Sequence, residues 1–143
     1  MGSNIKLENN HKKDLIGYVT VRKFAGYALP VPMQNKLLRY YCSEKKFNYV
    51  LPLCELHLKG NYMSLYGTLE RTPINGDVGM ASIYMFPKNT NKFYSLNAII
   101  KKKRIRFHFI FEDKDLNHNE IDDFYLNSQM RYFTANKSKF KLE

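Results

Sequence analysis

The chain predicts an α/β domain, a three-layer sandwich with a mostly parallel central sheet of about four strands. Three observations carry that expectation. Apolar, β-branched runs alternate with stretches of helical period along most of the 143 residues. The run "VGMASIYMF" at 78–86 is almost continuously apolar, as a strand buried on both faces must be. Helix-like segments separate the strand-like runs, the pattern of βα crossovers between parallel strands.

Each element can be justified in order. Residues 1–13, "MGSNIKLENNHKK", are polar and read as a flexible arm without the apolar core of a secretion signal. A first strand fits 15–21. A helix fits 32–46, where Leu37, Leu38, Tyr41 and Cys42 share one face and Pro32 suits a first turn. A short strand fits 47–51, with room to continue past Pro52 to Glu55. The second helix fits 61–71, with Tyr62, Leu65, Tyr66 and Leu69 on one stripe and Asn61 as its cap. "PINGD" at 73–77 is a turn, and the central strand follows over 78–86. A third helix fits 92–102, a strand with one polar face including His108 fits 105–111, and a short last helix fits 120–133. The expected domain is 14–133, followed by a basic tail over 134–143.

Composition narrows the function classes. A hydrophobic fraction of 44% supports a packed core rather than a disordered chain. The longest apolar run is far short of a bilayer span, so no membrane association is expected. Cys42 and Cys54 show no pairing or metal-ligand pattern and read as free thiols, which suits a cytoplasmic protein. Twenty-three basic against 13 acidic side chains leave a net charge of +10. Such a field attracts nucleic acid, acidic membranes and phosphorylated metabolites without choosing among them. Part of the excess sits in "KKKRIR" at 101–106, where the lysines would also oppose a helix dipole.

In a parallel sheet, ligands bind outside the carboxyl ends of the strands. That places the loops after Val21, Leu51, Phe86 and Phe111 on the ligand side. The first loop has neither a glycine-rich dinucleotide fingerprint nor a phosphate-loop lysine. Arg22 and Lys23 supply positive charge there, and Gln34 and Asn35 open the next helix with amides able to bind hydroxyls. Glu55 is the candidate base, with Tyr62 or Glu112 assisting. His57 and Glu55 alone do not make a metal site.

Two families share features with these residues. "IGYVTVR" followed by "QNKLLRYYC" resembles the catalytic domain of serine recombinases, which opens with a strand of the type GYxRVS. That resemblance implies a resolvase-like or Rossmann-like fold. It also implies that the DNA-attacking serine is replaced by Arg22 and the adjacent arginine by Thr20. The family's Asp-Arg-x-x-Arg cluster would follow the third strand, where this chain has "PKNTNKF". A second set of features resembles the sporadic carbohydrate cluster proteins of bacterial surface-glycan loci. These are "GYVT" with its basic loop and Phe24, "PVPMQN", "YC" in the first helix, Glu55, "YM" at 62–63 and "GMASIYMFP" at 79–87. Those proteins tend to carry serine where this chain has Val21.

The second resemblance implies a role in surface polysaccharide biosynthesis. The leading expectation is binding or conversion of a phosphorylated or nucleotide-linked sugar. Isomerase- or epimerase-like acid/base chemistry would need no cofactor and no metal. The alternatives are a nucleic-acid-binding module on a recombinase-like core without its nucleophile, and a non-catalytic partner of a sugar-modifying enzyme. A homodimer through the last helix is compatible with each.

Overall fold

In the computed structural model, which describes residues 12–55 and 62–142 (side chains of 54–55 and 136–142 excepted), a five-stranded sheet has the order β3-β1-β5-β6-β7. Strands β1 (Lys13–Gly17), β3 (Phe47–Val50), β5 (Asp77–Met80) and β6 (Arg106–Phe109) are parallel. Strand β7 (Lys114–Leu116) closes the far edge antiparallel to β6. Beyond Tyr18, β2 (Val19–Thr20) continues the line of β1 and pairs in parallel with β4 (Cys54–Glu55). The chain order reverses between β1 and β5, which makes their carboxyl ends the switch point of the sheet.

Helix α1 (Val31–Lys45) covers one face, burying Gln34, Leu38 and Cys42 at four-residue spacing. Leu38 and Cys42 pack on Leu15 and Val19. The helix starts directly after Pro30, carries a proline in its first turn and ends at Lys46 in the left-handed region, φ 62°. The other face holds the larger core. Val78, Met80, Phe107 and Phe109 meet Leu65 and Leu69 of α2 (Met63–Arg71), Phe93, Leu96 and Ile100 of α3 (Thr90–Lys103), and Ile121 and Tyr125 of α4 (Ile121–Leu142).

The structure departs from the sequence expectations at identifiable places. The first strand begins at Lys13, inside the segment expected as an arm; residues 1–11 lie outside the described residues. Asn61, the expected cap of the second helix, also lies outside them. The central strand is Asp77–Met80, so only Val78–Met80 of the apolar run belongs to it; Ile83–Met85 form a 3₁₀ turn. The cause is a carboxylate. Glu112 accepts hydrogen bonds from the Ile83 amide at 2.7 Å and the Ser82 hydroxyl at 2.8 Å, and the Ser82 hydroxyl accepts from the Tyr84 amide. These bonds satisfy the backbone locally and draw the chain out of the sheet. Strand β7 is not among the expected elements. The final helix runs on to Leu142, through the segment expected as a basic tail.

Three cations of the "KKKRIR" run, Lys101, Lys103 and Arg106, are engaged within the fold at the amino end of the strands. The Lys103 ammonium caps α2, donating to the carbonyls of Leu69 at 3.1 Å, Thr72 at 3.0 Å and Glu70. Lys101 pairs with Asp122 at 3.4 Å, and Arg106 pairs with Asp115 across β6 and β7. Cations at helix carboxyl ends also offset the dipole.

Two glycines of the central strands sit against close neighbours: a Cβ on Gly17 would lie 2.7 Å from Tyr49 Cε1, and Gly79 is enclosed by two side chains. A Cβ on Gly79 would lie 2.6 Å from Leu15 Cδ2 and 3.1 Å from Leu38 Cδ2, where β5 and β1 meet α1. Gly79→Ala is therefore expected to lower unfolding free energy by about 1–3 kcal/mol through overpacking. Urea denaturation followed by circular dichroism measures it; an unchanged midpoint would mean that Leu15 and Leu38 give way freely.

Candidate functional site

The residues that follow β2, β5 and β6, together with the first turns of the helices, gather at the carboxyl end of the sheet. The β2–α1 connection is held in shape from inside. Gln34, fully buried on α1, accepts from the Thr20 amide at 3.1 Å. Its side-chain amide donates to the Thr20 carbonyl at 2.7 Å and the Leu29 carbonyl at 2.8 Å. Gln34 thus mimics a strand edge for Thr20 and ties down the end of the loop. The Thr20 hydroxyl accepts from the Arg22 amide at 3.0 Å, turning the chain as it leaves the strand. Within the loop, Phe24 and Tyr27 exchange two backbone hydrogen bonds of 3.0 and 2.9 Å. The residues between them, Ala25 (φ 51°) and Gly26 (φ 79°), are both left-handed, the requirement of a type I′ hairpin turn.

On this scaffold, the half-buried Arg22 guanidinium lies 4.0 Å from the centre of the Tyr62 ring. The ammonium of Lys92, in the first turn of α3, stands 5.9 Å from the same ring. Tyr62 immediately precedes α2, so three separate connections contribute to one basic aromatic cluster. A cation over an aromatic face keeps its charge while losing freedom of movement. Lys23, the next residue along, is exposed.

Other expected site residues are placed differently. Asn35 accepts from the Tyr49 hydroxyl at 2.7 Å, so both amides expected to meet a ligand are engaged within the protein. Glu55 pairs by backbone register with Thr20; its side chain lies outside the described ones. Its strand pairs with β2 in a two-stranded sheet separate from the five-stranded one. Glu112 anchors the Ser82–Tyr84 turn as described above, and burial raises its pKa above the ordinary glutamate value, with those hydrogen bonds opposing. Ser82 and Lys92 join the site without a signal in the sequence: one sits inside an apolar run, the other among the polar residues that open a helix.

A second polar cluster lies beneath the α1 face, with Asp77 at the amino end of β5. His108, expected on a polar face, is buried with Asp77, both 2% exposed. Its Nε2 meets Asp77 Oδ1 at 2.7 Å, and its Nδ1 meets the Tyr41 hydroxyl at 2.7 Å. Lys13 Nζ sits 2.6 Å from Asp77 Oδ2. With Asp77 ionised, Nε2–H donates to the carboxylate. Burial pushes the Tyr41 phenol up to about 12, aided by the nearby carboxylates. For Asp77, burial acts upward, but hydrogen bonds and charge from His108 and Lys13 outweigh it and hold the carboxyl below its ordinary value.

Neither a protein-family model nor a curated protein matches the chain. Solved structures do. The N-terminal catalytic domain of TP901-1 integrase aligns with a TM-score of 0.56 and 14% identity, over 92% of this chain and 99% of that one. A resolvase family site-specific recombinase from Streptococcus pneumoniae aligns with a TM-score of 0.58 and 12% identity, over 92% of each chain. At this identity the likeness establishes the fold, which is resolvase-like. Of the two resemblances read from the sequence, these two neighbours lie on the recombinase side, and neither points to carbohydrate biosynthesis.

The depressed pKa of Asp77 has a direct consequence. The carboxylate contributes its stability in full above the unfolded-state pKa, and that contribution is lost as pH falls through the lower folded-state value. Asp77→Asn, which leaves His108 and Lys13 without their anion, is expected to cost about 3–5 kcal/mol at neutral pH. It is also expected to flatten the acid limb of the stability curve. Chemical denaturation across pH measures both; parallel curves for the two proteins would dismiss the cluster as a source of acid sensitivity.

Proposed function

We propose that the chain is a nucleic-acid-binding module on a recombinase-like core, contacting the phosphate backbone at the carboxyl end of its sheet. The observation that carries this reading is the Arg22–Tyr62–Lys92 cluster, assembled from three connections at the switch point. It stands in a protein of net charge +10. Phosphates are the ligand such a cluster suits. Paired cations neutralise them, and the ring beneath holds the guanidinium in place for bidentate contact. The two solved neighbours, named as integrase and site-specific recombinase domains, support the same class of partner.

The reading does not include strand cleavage by the first strand. There the hydroxyl group belongs to Thr20, which is 1% exposed and accepts a hydrogen bond from Arg22. Arg22 itself stands at the position that the resemblance assigns to the nucleophile. A guanidinium binds a phosphate diester but cannot form a covalent ester with it.

Binding of duplex DNA, followed by fluorescence anisotropy, is expected to weaken linearly in a plot of log affinity against log salt. Arg22→Gln and Lys92→Gln are each expected to reduce the slope by about one and to weaken binding uniformly across sequences. A slope near zero, or slopes unchanged in both variants, would remove the proposal.

A further inference from the structure

Beside the basic cluster is a cavity of about 400 Å³ that the phosphate contacts do not use. Its walls are aromatic: Phe24 and Tyr27 from the hairpin, Tyr84 from the 3₁₀ turn, and Phe111 after β6. Ser82 and Glu112 supply its polar groups. Tyr27 is 68% exposed and Phe111 51%, large rings held at the surface. We propose that this cavity receives one unpaired, amino-bearing nucleobase of a single-stranded nucleic acid, stacked against Tyr27 and Phe111 with its amino edge on Glu112. The inference deepens the nucleic-acid reading of the preceding subsection and rests on it.

Four features argue for this occupant. Planar rings offer a face to any base, and stacking on them is the usual way of holding single strands. The Glu112 carboxylate receives hydrogen bonds from Ser82, from Ile83 and from its own backbone amide. A carboxylate has about four acceptor positions, so about one remains for an N–H donor. The exocyclic amino groups of cytosine, adenine and guanine offer such a donor; thymine has no amino group and only its ring N3–H. Arg22 and Lys23 directly precede Phe24, so positive charge flanks the cavity where a base's own phosphate would lie. The walls are also preorganised. The type I′ hairpin fixes Tyr27, and Gln34 holds the Leu29 carbonyl, so little freedom is lost on binding. A base paired within a duplex could not enter.

The test measures labelled oligo(dC), oligo(dT) and a mixed-sequence duplex at one low salt concentration, with the wild type and two variants. The double variant Tyr27→Ala/Phe111→Ala changes exposed side chains and should remain folded. It is expected to weaken oligo(dC) binding about tenfold while leaving duplex binding unchanged. Glu112→Gln is expected to erase the preference for oligo(dC) over oligo(dT). Should that substitution unfold the Ser82–Tyr84 turn, the aromatic double variant still decides. Equal affinity for the two oligonucleotides, undiminished in the double variant while duplex binding persists, would overturn the base cavity and leave the backbone-binding module standing. Failure of every probe to bind would overturn both.

Discussion

Strand β5 must be paired along both edges and covered on both faces, and the rest of the structure follows from that demand. Parallel neighbours on both sides need helical crossovers, and their helices supply the cover. On one face Val78 and Met80 enter the large aromatic core. On the other, Gly79 lets α1 approach, and Asp77 carries a charge into the same layer. A buried carboxylate is tolerated only with partners, and His108 from β6 and Lys13 from β1 provide them. The three central strands are therefore joined by a charged cluster as well as by their backbone ladders.

The distribution of positive charge has two parts with different causes. At the amino end of the strands, Lys101, Lys103 and Arg106 are occupied by Asp122, the end of α2 and Asp115. They look like a binding patch in one dimension, yet their ammonium and guanidinium groups close the fold. At the carboxyl end, Arg22 and Lys92 converge on Tyr62 from loops more than thirty residues apart. The net charge sets the long-range field, but only the second group sits where an α/β sheet presents ligands.

Rigidity at that end comes from buried polar groups rather than from the loop's own packing. Gln34 serves the strand end and the loop end with three hydrogen bonds. Glu112 does the equivalent for the chain after β5. Gln34 meets backbone amides and carbonyls, and Glu112 meets a backbone amide and the Ser82 hydroxyl; these groups would otherwise be orphaned at considerable cost. The loops consequently hold their aromatic residues in place before any ligand arrives.

Sequence alone was sufficient for the α/β class and the alternation of strands and helices. Hydrophobic period and proline or glycine punctuation are local properties, and they set α1, α2 and α3 to within a few residues. It also drew attention to Arg22 and Tyr62, because the carboxyl ends of parallel strands are known once strands are known. Tertiary structure decided which polar residues are engaged within the protein. Gln34 and Asn35 read as ligand amides, but Thr20, Leu29 and Tyr49 claim them; His108 reads as exposed, but Asp77 lies opposite it. These partners are thirteen or more residues distant, apart from Leu29, and a side chain's polarity does not say which partner will reach it first. The truncation of the central strand, the edge strand β7 and the meeting of Lys92 with Tyr62 have the same origin. Each depends on a contact between segments whose sequences carry no mark of one another.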